Sequence, residues 1–344
     1  MRIAQLQERR KFQLAEGPLD DPGPGEIQVR VEAVGICGSD MHSFSDGRIG
    51  DTICTYPMVL GHEPTGVVVK TGTGVAGWTP GDRAAFEPAV YCYHCEFCLA
   101  GRHNICEHIK FFSTPPDPGF FREFVNLPAQ NVLPLAAEIG FREGTLFEPL
   151  GVVLHSLKFV ALRPSESAVV FGAGPIGLLT IAMLKMCGAG RVWAVEPVPH
   201  RREMAKAAGA DAVMDPHGLD AAREILSDTG QRGVDVTIDC AAREDSLSQC
   251  VHATRNGGRI VVTGIHAELE PLIALHPARR KELAIYNVRR SNHDSETALE
   301  ILRQHPARFA PIVTHTLPLD AVQAAFNMLE SYSDGAGKVV LTPR

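Results

Sequence analysis

The stretch Ser167-Ala168-Val169-Val170-Phe171 runs directly into Gly172-Ala173-Gly174-Pro175-Ile176-Gly177, and few junctions narrow the choice of fold so far. Three spaced glycines alone are a weak signal. Here they follow an apolar strand and open a helical pattern over Leu178 to Cys187. A second strand, Arg191 to Glu196, then ends on an acid about 20 residues further on. Gly172 permits the tight turn, Gly174 lets the backbone approach a pyrophosphate, and Gly177 lets the helix pack on the strand. The positive end of that helix faces the pyrophosphate. The pattern predicts a doubly wound parallel sheet that binds a dinucleotide.

Glu196 predicts which one. A carboxylate at this strand end accepts hydrogen bonds from both ribose hydroxyls and repels a 2′-phosphate, so NAD is expected over NADP. Arg201 and Arg202 lie close enough in sequence to hold a phosphate; the alternative is a solvated helix face, with Arg201 flanking the ribose. The βα alternation continues through two further buried strands, Val234 to Asp239 and Arg259 to Gly264. Thr263-Gly264-Ile265, at a carboxyl strand end, is expected on the nicotinamide side.

The chain before this region reads differently. Ile27, Val29, Val31 and Ala33 alternate with polar neighbours as a half-buried strand. Short runs follow at Gly66 to Val69 and Arg83 to Phe86, punctuated by Gly and Pro. An antiparallel, barrel-like β region is expected there. A helix from Glu296 to Gln304 and a tail ending Gly337-Lys338-Val339-Val340-Leu341 are expected to return to it. Two domains suit 344 residues of which 45% are hydrophobic.

Two groups of metal-ligand residues fall in the β region. Cys37 lies in Val34-Gly35-Ile36-Cys37-Gly38-Ser39-Asp40, and His62 and Glu63 follow Met58-Val59-Leu60-Gly61. A lone cysteine is usually packing and a lone His-Glu pair usually surface. These side chains, however, stand where a buried strand or its exit loop holds them rigidly, which suits a zinc site with one open coordination position. Glu148, ahead of the helical run Val152 to Leu157, serves the metal directly or through its water; the alternative is a helix N-terminal carboxylate favoured by the dipole. The second group is Cys92, Cys95, Cys98 and Cys106, four sulfurs that can enclose one tetrahedral zinc and leave no vacancy. His94 or His103 could replace one sulfur.

A net charge of -7 without a long basic block excludes the footprint of a nucleic-acid binder, and Glu96 and Glu107 in the cysteine loop oppose phosphate. No signal-peptide core or bilayer-length apolar run is present. Nine cysteines, four of them within residues 92–106, read as thiolate ligands in a reducing compartment, so a cytoplasmic protein is expected.

Together, Cys37-Gly38-Ser39-Asp40, Gly61-His62-Glu63, the four-cysteine lobe, Glu148-Pro149-Leu150 and Gly172 to Gly177 resemble the zinc-containing medium-chain alcohol dehydrogenases over essentially the whole chain. Asp46-Gly47-Arg48-Ile49-Gly50, Phe112-Ser113-Thr114-Pro115-Pro116 and Val288-Arg289 look like the sorbitol (polyol) dehydrogenase branch. The resemblance implies an α/β molecule. A GroES-like β-rich catalytic domain is formed by residues 1–152 and 292–344, with a zinc lobe near 90–110. A Rossmann domain, residues 153–291, is inserted, and the active site lies in the cleft. It implies two zinc ions per chain, one catalytic on Cys37, His62 and Glu63 with Glu148 on or beside its water, and one structural on the four cysteines. Gly172, Gly174, Pro175, Ile176, Gly177, Glu196, Arg201, Thr263, Gly264, Ile265, Val288, Arg289 and Arg290 fall at coenzyme positions, and Ser39 and His42 where substrate is touched or its proton relayed. An ordinary exposed histidine remains the alternative for His42. A homodimer or homotetramer is implied.

The expected reaction passes a hydride from a secondary hydroxyl of a polyol or sugar derivative to NAD. Where the sorbitol enzymes carry pocket tyrosines, this chain has Ser43 and Arg290. Arg290 beside Arg289 suits an acidic or phosphorylated substrate, the alternative being contact with solvent or coenzyme phosphates. A threonine or other secondary-alcohol dehydrogenase is the nearest alternative. A non-catalytic NADH-binding redox sensor and a zinc-ribbon interaction protein are alternatives of other classes; the intact Cys37, His62, Glu63 and Glu148 oppose the first, and the acidic balance the second.

Overall fold

The computed structural model describes residues 1–243 and 245–343. The chain divides into two compact units, one comprising Met1–Gly151 with the chain from Asn292 onward, the other Val152–Ser291. The divide falls one residue before the expected position.

The first unit is built on a seven-stranded sheet. Its order is Val132–Pro134, Arg83–Phe86, Glu63–Thr71, Glu26–Gly35, Lys338–Thr342 and Val313–Pro318, with Phe124–Pro128 also paired to Glu26–Gly35. Most pairings are antiparallel, but Val313–Pro318 and Lys338–Thr342 run parallel, so the β region is mixed where a uniformly antiparallel one was expected. The tail does return, through Val340 opposite Gly35. A short helix, Gly38–Ser45, leaves the end of the central strand. Its Phe44 is fully buried, 5.0 Å from Phe326, and Phe326 in turn meets Phe121 edge-on at 5.9 Å. Each such ring contributes about 2–3 kcal/mol of burial, which holds the helix start in place.

The second unit is a six-stranded parallel sheet in the order Ala212–Met214, Val192–Val195, Ala168–Phe171, Val234–Asp239, Thr254–Val262, Ala284–Asn287. Numbered along the chain this is 3-2-1-4-5-6, the doubly wound arrangement with its switch point beside the first strand. The helix Pro175–Met186 follows that strand. Gly177 is necessary there, because a Cβ would lie 1.9 Å from the Gly172 carbonyl oxygen.

Among the described residues no helix is long and apolar enough to cross a membrane.

Candidate active site

Cys37, His62 and Glu63 meet, each offering one ligand atom within 4.8 Å of the others, in surroundings where His62 and Glu63 are buried. Local structure explains how. Cys37 is the N-cap residue of Gly38–Ser45, so its sulfur stands at the positive end of a helix. Glu63 starts the adjacent strand with His62 directly before it, and Gly61 turns the chain towards it at φ +91°, where a Cβ would strike Phe121 at 2.4 Å.

Asp40 ties these pieces together. Fully buried, it accepts hydrogen bonds from the Cys37 and Gly61 backbone N–H groups (3.0 and 3.2 Å) and from the Ser113 hydroxyl (2.9 Å). Its Oδ1 lies 3.4 Å from His62 Nδ1, leaving Nε2 on the side of Ser39 Oγ, also at 3.4 Å. Burial pushes the Asp40 carboxyl up, but the His62 ring beside it and the Cys37 and Ser113 donors outweigh it, and the group stays below its ordinary range. The sequence reading gave Asp40 no role, although an acid three residues after a helix cap signals a capping box. Replacing it by alanine is expected to weaken metal binding at Cys37, His62 and Glu63 by about 10–100-fold, measured by chelator competition.

Glu148 lies in the first turn of the helix Phe147–Val160, which begins five residues before the expected run. It is buried, outside the three-residue ligand cluster, and its carboxyl is pushed up to about 8. Burial dominates and the Glu63 and Glu87 charges add to it, against His62 and Lys338. Ser39 and His42 share one helix face three residues apart. His42 holds Asp46 through Nδ1 at 2.8 Å. Ser43 is fully buried, with its hydroxyl donated to the Ser39 carbonyl at 3.3 Å, so it does not line a pocket as expected.

The donor set suits zinc: a thiolate, an imidazole and a carboxylate converge, and Glu63 Oε1 is buried without a hydrogen-bond partner among the described residues. The four cysteines also gather within 4.8 Å, with Cys92 Sγ 3.5 Å from Cys106 Sγ and 3.9 Å from Cys98 Sγ. No histidine joins either cluster beyond His62 among the described residues.

In the second unit the Glu196 carboxylate is buried and accepts the Ala173 N–H at 2.7 Å and the Val198 N–H at 2.9 Å, bridging the glycine turn and the next helix. Around Gly174 the nearest atom outside the adjoining backbone that an added Cβ would meet, among the described residues, is Arg201 Nη1, at 3.9 Å, so the backbone is open there beside a guanidinium. Arg202 is not on a solvated face: it binds Asp215 and the Glu196 and Pro197 carbonyls at 2.7–2.9 Å. Thr263 and Gly264 hang from the Asp239 carbonyl, Ile265 is exposed, and Val288 bonds to Val262. Arg289 is exposed and Arg290 half-buried, with φ +55°.

Comparison with known proteins agrees with this geometry. Residues 23–137 match the alcohol dehydrogenase GroES-like domain and residues 175–304 the zinc-binding dehydrogenase domain. Sorbitol dehydrogenase of Homo sapiens is 36% identical over 333 residues, covering 96% of this chain and 92% of that protein. L-idonate 5-dehydrogenase of Vitis vinifera is 34% identical over 310 residues, covering 88% and 84%. A short chain alcohol dehydrogenase (rspB) of Escherichia coli CFT073, solved with the cofactor NADH, superposes with a TM-score of 0.90 at 26% identity, covering 99% of each chain.

Proposed function

The chain belongs to the zinc-containing medium-chain alcohol dehydrogenases, in their sorbitol dehydrogenase-like branch, and from that membership we propose that it oxidises a secondary hydroxyl of a polyol or sugar derivative with NAD. The observation that carries this is the convergence of Cys37, His62 and Glu63 in a chain that also holds a dinucleotide fingerprint. Cys37, His62 and Glu63 would hold a catalytic zinc, and Cys92, Cys95, Cys98 and Cys106 a structural one, two per chain. When bound, the catalytic metal supplies Lewis acidity, lowering the pKa of an oxygen held beside it by many units.

The remaining steps belong to the protein's own groups. Asp40 keeps the His62 ring oriented. Ser39, within 3.4 Å of His62 Nε2, receives the hydroxyl proton, and His42, one turn on with Nδ1 occupied by Asp46, takes it up at Nε2. Glu148, buried in the first turn of its helix, would hold water at the site. NAD, when bound, would supply the hydride acceptor, and Glu196 would read its adenosine ribose. NAD is favoured because the Glu196 carboxylate repels a 2′-phosphate and Arg202 is already engaged.

Arg289 and Arg290 favour an acidic sugar among the substrates, and a plant relative's name, L-idonate 5-dehydrogenase, points the same way. The test is a panel of neutral polyols, aldonates and sugar phosphates with NAD and NADP, run beside elemental analysis. Turnover of at least one such alcohol with two zinc ions per chain is expected. NADH binding without turnover of any alcohol would instead identify a redox sensor. An Arg290→Ala variant is expected to lose preference for the acidic substrates, and an unchanged preference removes that role.

A further inference from the structure

Lys338 is the one lysine or arginine that is fully buried among the described residues, and it is buried against a residue of the candidate zinc site. It opens the strand Lys338–Thr342. Its Nζ forms an ion pair with Glu63 Oε2 and donates to the Ile36 carbonyl at 2.9 Å. The two charged groups have 1% and 0% of their side chains exposed. Burying both ions costs several kcal/mol each before their attraction is counted, and an apolar side chain of similar length would avoid that cost.

Three neighbouring strands build the chamber. Gly35 stands opposite Glu63 on one side and Val340 on the other. A Cβ on Gly35 would lie 2.0 Å from Glu63 Oε2 and 2.8 Å from Lys338 Cε, so the missing side chain is the space in which the pair sits. The pair therefore has its own compartment behind the ligand cluster. Within it Lys338 engages one carboxylate oxygen, Oε2, while Oε1 is buried without a hydrogen-bond partner among the described residues.

Resting on the zinc reading above, we propose that Lys338 is a positioning residue: it holds Glu63 by one oxygen and presents only the other to the metal, keeping Glu63 a one-oxygen ligand and a coordination position open. A carboxylate released from Lys338 has both oxygens available and closes on the metal with two, since zinc accepts a fifth ligand. The substrate position is then filled and the metal is held more tightly.

The test uses the full-length enzyme with zinc, and with cobalt(II) exchanged into the Cys37, His62 and Glu63 site. In Lys338→Met, zinc release to a chelator is expected to be slower than from the parent. The cobalt visible bands should weaken as four-coordination gives way to five, and the metal-free form should unfold at lower urea than the parent. Lys338→Arg is expected to restore the parent's spectrum and release rate. Zinc release as fast as or faster than the parent's, or an unchanged cobalt spectrum, overturns the proposal, because a lysine with a merely structural role would loosen the site or leave its geometry alone. If Lys338→Met does not fold, Lys338→Gln carries the test with the same direction and the same overturning result. A parent protein that takes up metal only in the four-cysteine lobe fails at the zinc reading itself, a distinct result.

Discussion

Replacing His62 with alanine is expected to reduce the zinc content from two ions per chain to one and to cut alcohol oxidation by roughly four orders of magnitude or more. The size follows from what is lost. Metal binding moves the pKa of a coordinated oxygen by about eight units, and no remaining group in the site supplies comparable acidity at neutral pH. Cys37 and Glu63 remain, but two protein ligands fall short of the three that catalytic zinc sites use. NADH binding, followed by fluorescence, is expected to persist, because every residue of the dinucleotide fingerprint lies within Val152–Ser291. Elemental analysis and initial rates check the result together. Two zinc ions retained with full turnover would remove His62 from the site.

The second large effect concerns the coenzyme. Glu196→Ala is expected to lower kcat/KM for NAD by about 10–100-fold, mostly through KM, since hydrogen bonds to a charged group contribute about 1.5–3 kcal/mol. It also frees the Ala173 N–H, which now donates at 2.7 Å, and so loosens the glycine turn. NADP should gain at the same time, because the repelling carboxylate is gone while Arg201 stays beside the turn. The preference for NAD over NADP is therefore expected to shrink by about a hundredfold, read from kcat/KM with each coenzyme. A preference left unchanged would show that selection is made elsewhere.

Legibility followed the range of the interaction. The glycine turn, the strand before it and the helix after it are contiguous, so the sequence pattern and the observed elements agree there to within a few residues. The four cysteines span fifteen residues, and their spacing already implies one cluster. Boundaries were weaker. The helix carrying Glu148 starts at Phe147, because the apolar run after Glu148 marks only the buried part of it. Arg202 reads as exposed on a polar helix, yet two carbonyls and Asp215 claim it. Ser43 reads as a pocket residue, but helix geometry points its hydroxyl back at the carbonyl four residues earlier.

What the amino-acid order determined on its own is the set of chemical types and their immediate settings: a thiol where an apolar run ends, a histidine and an acid just after another such run, a carboxylate ending the second strand of a nucleotide fold. Each depends on neighbours within a few positions, and local backbone preferences carry that information. Tertiary structure alone decided which distant groups share a dielectric cavity. Lys338 reaches the Ile36 carbonyl across 302 residues of chain, and only the register of three strands, with no side chain at Gly35, places its charge against Glu63. An ion pair of that kind takes its energy from exclusion of water on all sides, a property of the packed sheet that no short window of residues contains.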